Sequence, residues 1–91
     1  ILNAAGGRAL PLYGDGGNVR DWLYVDDACA AIRAVLARGR PGESYCAGGR
    51  NERTNRAVME AICALLDRIA PRAAGPHRAL IRRVADRPGH D

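Results

Sequence analysis

Two helix-period apolar patterns, separated by glycine and proline breaks, limit what this chain can fold into. The stronger is Val58, Ile62, Leu65, Leu66 and Ile69, whose three- and four-residue steps place it along one helix face. Thr54 stands where it can cap that helix, which is expected to run to about Ile69. The weaker is Cys29, Ile32 and Leu36, flanked by Ala28, Ala31 and Val35. Asp26 and Asp27 are its N-cap candidates, and Gly39 with Pro41 ends it after Arg38. Both stripes need covering surface, and a chain of 91 residues buries only about 60–65% of what it exposes unfolded.

The remaining segments are short. Residues 1–9 read as the tail of a helix stopped by Gly6-Gly7. Leu10–Tyr13 is an extended run that Pro11 confines to a strand edge or start, and 14–18 is a turn by composition. Val19–Val25 and Glu43–Ala47 predict strands, residues 71–77 a linker, and Leu80–Ala85 a last strand before the turn at 86–90. The sum is a small mixed α/β unit whose loops carry the unusual residues.

Composition removes several chemistries. All 14 basic residues are Arg, so there is no lysine for a Schiff base, a phosphate loop or a tyrosine–lysine base. Ser44 has no nucleophile elbow around it, which leaves His77 and His90 without a serine partner. Three cysteines without a Cys-x-x-Cys pair, and two histidines, speak against structural zinc and disulfides. Cys29, Cys46 and Cys63 are expected to be reduced, buried thiols of a cytoplasmic protein. The net charge of +4 suggests nucleic acid, but the arginines are scattered and no aromatic pattern for base stacking accompanies them. No apolar run approaches the roughly 20 residues of a membrane span. Neither nucleic acid nor membrane is an expected partner, and a small basic anion-binding module is the alternative from another functional class. Ile1 at the start and the stop after His90-Asp91 read as a piece excised from a longer protein.

Three places could hold an anion. The Gly14-Asp15-Gly16-Gly17-Asn18-Val19 turn is not a dinucleotide loop, because Val19 replaces the third glycine and a strand follows. Arg20 just after it could offer its planar fork to a phosphate, or merely pair with Asp21 at the surface. Asn55 opens the longer helix, where unsatisfied N–H groups attract anions; the alternative is that Thr54 and Asn51 simply cap the helix. Asp86-Arg87-Pro88-Gly89-His90 places a guanidinium and an imidazole on one turn, which suits an anionic or hydroxylated ligand or an ordinary surface turn equally.

Taken in order, Leu10-Pro11-Leu12-Tyr13-Gly14-Asp15-Gly16, Arg20-Asp21-Trp22-Leu23-Tyr24-Val25-Asp26-Asp27, Gly42-Glu43-Ser44-Tyr45, Gly48-Gly49, Asn51-Glu52-Arg53-Thr54-Asn55 and Asp86-Arg87-Pro88-Gly89-His90-Asp91 resemble the extended short-chain dehydrogenase/reductase family. Within it they are most similar to the dTDP-glucose 4,6-dehydratases. The Asn-Glu-Arg-Thr-Asn and Asp-Arg-Pro-Gly-His-Asp segments carry that finer likeness. The resemblance implies the C-terminal substrate-binding lobe of an extended Rossmann-type enzyme, spanning residues 1–91, with the N-terminal NAD-binding domain missing. It implies NAD as cofactor, dTDP-glucose as substrate and a homodimer as the intact enzyme. It also implies that Pro11, Leu12 and Tyr13 line the nucleotide pocket. Arg20 and Asn55 would contact the diphosphate, and Asp86, Arg87, Pro88, Gly89 and His90 would close over the substrate. No catalytic or cofactor-binding residue can be carried over, since the family's Gly-rich turn, Tyr-x-x-x-Lys pair and acidic pair lie outside this chain. Ala28, Cys46, Ala47 and Arg50 depart from the family pattern and leave room for another nucleotide sugar. An epimerase or other dehydratase of the same superfamily is the nearer alternative.

Overall fold

The computed structural model describes residues 1–90, so Asp91 of the closing segment lies outside the described residues. The chain divides into two units, Ile1–Val19 with Arg53–Asp91 and Arg20–Glu52.

The first unit is built on a pair of parallel strands. The elements are α1 (Leu2–Ala5), β1 (Leu10–Tyr13), α3 (Asn55–Ile69), a 3₁₀ turn (His77–Leu80) and β4 (Ile81–Val84). Between α1 and α3 come β2 (Val19–Asp21), α2 (Val25–Arg38) and β3 (Glu52–Thr54). β1 pairs with β4 in the register Leu10 to Ile81 through Tyr13 to Val84. β1 alternates strictly: Leu10 and Leu12 are buried while Pro11 and Tyr13 are exposed. Pro11 thus sits in a two-stranded sheet, where a missing N–H is tolerated. The core gathers Ala4, Leu10, Cys63 and Leu66, with Met59, Ile62, Leu80 and Ile81 packed against it. Thr54 caps α3 as expected, its Oγ1 accepting the N–H of Ala57 at 3.0 Å.

Among the described residues, His77 is the one buried polar side chain, at 1% exposure. Asp67 makes that burial possible, because one carboxylate oxygen accepts both the His77 backbone N–H at 2.8 Å and its Nδ1 at 2.6 Å. Those two bonds, the backbone one foremost, hold the Asp67 carboxyl below the usual carboxylate range. The pair ties the end of α3 to the 3₁₀ turn that feeds β4. Burial pushes the Cys63 thiol up, which makes it a packing group rather than a nucleophile.

The second unit holds α2 and a long irregular segment. The strand expected over Val19–Val25 stops at Asp21, because its partner β3 is only three residues long. That partner, the polar Glu-Arg-Thr, carries no strand pattern in the sequence. α2 begins at Val25 behind Tyr24, whose carbonyl accepts the Ala28 N–H at 3.1 Å, and no side chain caps it. Asp26 and Asp27 lie instead in the first turn, where they still oppose the helix dipole. No strand forms over 43–47, since that segment has no ladder partner among the described residues; Tyr45 instead accepts the Arg40 N–H through its hydroxyl at 2.8 Å. A four-residue start helix, the β1 strand and the ends of α2 and α3 otherwise follow the expectation.

The apolar stripe of α2 departs most. α2 buries no residue; Ile32 and Leu36 are 61% and 82% exposed, and Cys29 and Cys46 are exposed as well. The expectation of three core thiols therefore holds only for Cys63. Within Arg20–Glu52 there is too little apolar surface to cover that stripe. The 91-residue chain on its own should show helical circular dichroism but a broad, non-cooperative melt. A single sharp sigmoidal transition would contradict this account of where its burial runs out.

Candidate functional site

The parallel pairing carries β1 and β4 side by side and releases both chains at the same end. There the Gly14 N–H reaches the Val84 carbonyl at 3.0 Å, and Arg83 Nε donates to the Gly14 carbonyl at 3.1 Å. Gly14 has φ +62°, and a Cβ on it would stand 3.0 Å from Asp86 Oδ2, so the close approach of Asp86 depends on glycine.

The 86–90 turn is knotted around Asp86. One oxygen of its carboxylate accepts the Arg87 backbone N–H at 2.9 Å and His90 Nδ1 at 2.7 Å, while the His90 N–H reaches the Arg87 carbonyl at 3.2 Å. The turn lays two side chains on Tyr13. The Arg87 guanidinium lies 5.2 Å from the ring centroid, and the His90 ring meets it edge-on at 6.2 Å and 78°. A guanidinium over an aromatic ring can still donate N–H bonds to an anion. The structure thus brings Tyr13, Asp86, Arg87 and His90 together, with Pro88 and Gly89 forming the bend; Gly89 has φ +76°.

Asn55 is linked to the same end of the unit by a residue that the sequence marked only as part of a turn. Asn18 accepts the Asn55 N–H on its carbonyl at 2.9 Å, and its Nδ2 donates to the His90 carbonyl at 3.4 Å. Nothing in local spacing announces a partner 72 residues away. The Gly16 carbonyl takes the Arg56 N–H at 3.0 Å. With Thr54 Oγ1 on Ala57, the first three N–H groups of α3 are satisfied from within the chain. The expected anion site at free helix N–H groups is therefore not what the structure presents; Asn55 can offer its side chain only.

The other predicted residues are placed differently. Pro11 is exposed, whereas the Leu12 side chain is 3% exposed and faces the interior, which leaves it only its backbone for a pocket. Arg20 lies on β2 in the second unit. Its neighbour Asp21 turns its carboxylate to backbone donors. It accepts the Gly49 N–H at 2.8 Å and the Asn51 N–H at 2.9 Å. The bonds from Asn51 and Gly49, in that order, hold its carboxyl below the usual range. A separate cleft of about 660 Å³ beside α3, lined by Arg56, Glu60, Cys63 and Asp67 among others, contains none of the predicted residues. No helix of the described residues is long and apolar enough to cross a membrane.

Residues 1–48 match the NAD dependent epimerase/dehydratase family. The whole chain is 58% identical to a dTDP-glucose 4,6-dehydratase of Xanthomonas campestris pv. campestris, of which it spans 26%, and 52% identical to one of Salmonella typhimurium, of which it spans 25%. Among solved structures it superposes over 99% of its length on a dTDP-glucose 4,6-dehydratase of Streptomyces venezuelae with NAD and a second ligand bound. There the TM-score is 0.80 and the identity 47% over 26% of that chain. A Bacillus anthracis dTDP-glucose 4,6-dehydratase in complex with NAD gives a TM-score of 0.79 at 49% identity, again over 26% of that chain. The chain thus spans about a quarter of the length of the relatives it matches.

The Asp86 knot has a titration signature. Its bond to His90, then the Arg87 N–H, favours the charged carboxylate, so the folded value lies below the ordinary 3.8. The knot's bonds are fully formed above 3.8 and are lost as pH falls through that lower value. A carbon-13 titration of Asp86 in the full-length protein should therefore give a midpoint under 3.8, rising toward it in His90→Ala. An Asp86 midpoint that His90→Ala leaves in place would contradict the geometry.

Proposed function

Since the chain belongs to the NAD dependent epimerase/dehydratase family, we propose that it forms the substrate-binding lobe of a dTDP-glucose 4,6-dehydratase, where it holds the nucleoside diphosphate end of the sugar nucleotide. The observation that carries this reading is the Tyr13–Arg87–His90 cluster at the shared end of β1 and β4, knotted by Asp86. Open α/β sheets place ligands at the carboxyl ends of parallel strands, and here that end bears an arginine over an aromatic ring.

In this reading Tyr13 and Pro11 form the exposed wall toward the nucleotide, with Leu12 contributing backbone. Arg87 and Arg20 take the diphosphate charge, each by paired N–H donation, and the Asn55 amide adds a neutral donor. His90, its Nδ1 committed to Asp86 and its side chain only 5% exposed, belongs to the turn that closes over the substrate. The turn 86–90 covers the ligand and excludes water, which strengthens each of these contacts. This chain's residues bind and orient; they supply no general acid or base.

NAD, which the solved relatives bind, would be the cofactor of the intact enzyme and would supply hydride-transfer chemistry there. No residue of this chain fits it. The glycine-rich turn at 14–18 runs into β2 rather than a helix, so it lacks the helix N-terminus a dinucleotide pyrophosphate needs. The dinucleotide would belong to the part of the enzyme beyond these residues. The reading also takes the intact enzyme as a cytoplasmic homodimer, as the family resemblance implies.

In the full-length protein, Arg20→Ala and Arg87→Ala should each weaken dTDP binding by roughly 1.5–3 kcal/mol, the worth of a charge-assisted bond, with NAD occupancy unchanged. Arg20→Lys should recover part of the loss, since an ammonium is a point charge and not a fork. Calorimetric titration with dTDP reads both. Parental affinity in the two alanine variants would overturn the proposal.

A further inference from the structure

We infer that Asp21 is a positioning residue for Arg20, acting by holding the 48–51 loop against β2. The inference rests on the reading of Arg20 as a diphosphate contact and adds what sets that contact. Three successive peptide N–H groups, those of Gly49, Arg50 and Asn51, bear on the Asp21 carboxylate, two of them as bonds of 2.8 and 2.9 Å. Arg50 between them has φ +49°, the left-handed conformation, and is the only described non-glycine residue with positive φ. Such a stretch turns its N–H groups into a concavity shaped for an anion, and here the anion is the chain's own carboxylate. The fit is close: a Cβ on Gly48 would lie 2.6 Å from Asp21 Oδ2. Asn51 completes the join, its Nδ2 donating to the Trp22 carbonyl at 3.4 Å and its carbonyl accepting the Trp22 N–H at 3.3 Å.

β2 is only three residues long, so its direction and twist are not set by a long ladder. Adjacent side chains of a strand project to opposite faces, so fixing Asp21 on the loop side fixes the face from which Arg20 projects. The Arg-Asp dipeptide thus divides its work: the carboxylate is spent on backbone, and the guanidinium is aimed by it. The Gly-Gly pair and the left-handed Arg50 are the parts of the loop that accept the carboxylate.

The test is a double-mutant cycle in the full-length protein, with dTDP affinity by calorimetry and turnover of dTDP-glucose as readouts. Asp21→Asn should weaken dTDP binding about fivefold to tenfold and raise KM similarly, while kcat at saturation and NAD occupancy stay near parental. Because Asp21 acts through Arg20, the Arg20→Ala/Asp21→Asn pair should bind dTDP no more weakly than Arg20→Ala alone. Where Asp21→Asn does not fold, Gly48→Ala, which intrudes on the same carboxylate, takes its place in the cycle with the same expectation. Additive losses, or parental affinity in Asp21→Asn and Gly48→Ala, would overturn the inference while leaving the function intact. No loss in Arg20→Ala itself would instead remove the reading it rests on.

Discussion

The parallel pairing of β1 with β4 is the constraint on which the first unit depends. It joins segments 69 residues apart at Gly14 and Arg83, and nothing local could bring them together. The pairing costs loop-closure entropy and returns only four strand positions. It is sustained from one side by Leu10 and Leu12 packing inward, and from the other by the Asp67–His77 clasp that delivers the chain into β4. Once β1 and β4 are parallel, the placement of Tyr13 under Arg87 and His90 follows from the strand ends alone.

Aspartate is the recurring device around the candidate contacts. Asp15 accepts the Gly17 N–H, Asp21 the Gly49 and Asn51 N–H groups, Asp67 that of His77 and Asp86 that of Arg87. In a chain of 14 arginines, these carboxylates spend their hydrogen bonds on backbone and histidine instead. A carboxylate paired with an exposed arginine adds little stability, whereas one that satisfies backbone donors fixes a turn. Asp86 in this way fixes the backbone of Arg87, and Asp21 fixes the 48–51 loop beside β2.

The sequence carried the local half of this structure plainly. The extent of α3, the Thr54 cap and the Gly39 stop are periodicity and capping, which depend on residues three or four apart. The stripe itself holds only in part: Leu66 is buried and Ile62 packs on the core, whereas Leu65 and Ile69 are exposed and Met59 and Cys63 take their place. It carried the motif residues too, because the Asp86–His90 turn is a contiguous string. Contacts between distant turns were not legible: neither the role of Asn18 between Asn55 and His90 nor the loop that claims Asp21 has any local signature. Strand β3 was hidden because Glu-Arg-Thr is polar and held by pairing, and the 43–47 segment misled because β-forming residues do not make a strand without a partner. The exposed stripe of α2 shows the converse, a pattern correct for a helix that none of the described residues covers.

The proposal stands on the end of β1 and β4, with Asn55, receiving a nucleoside diphosphate. Hydrogen exchange of the full-length protein with and without dTDP tests it most directly, because it reports each segment separately. The account predicts added protection over residues 14–20, 55–57 and 86–90 on dTDP addition, with the amides of α2 exchanging as before. Protection absent from 86–90, or concentrated on α2, would contradict it.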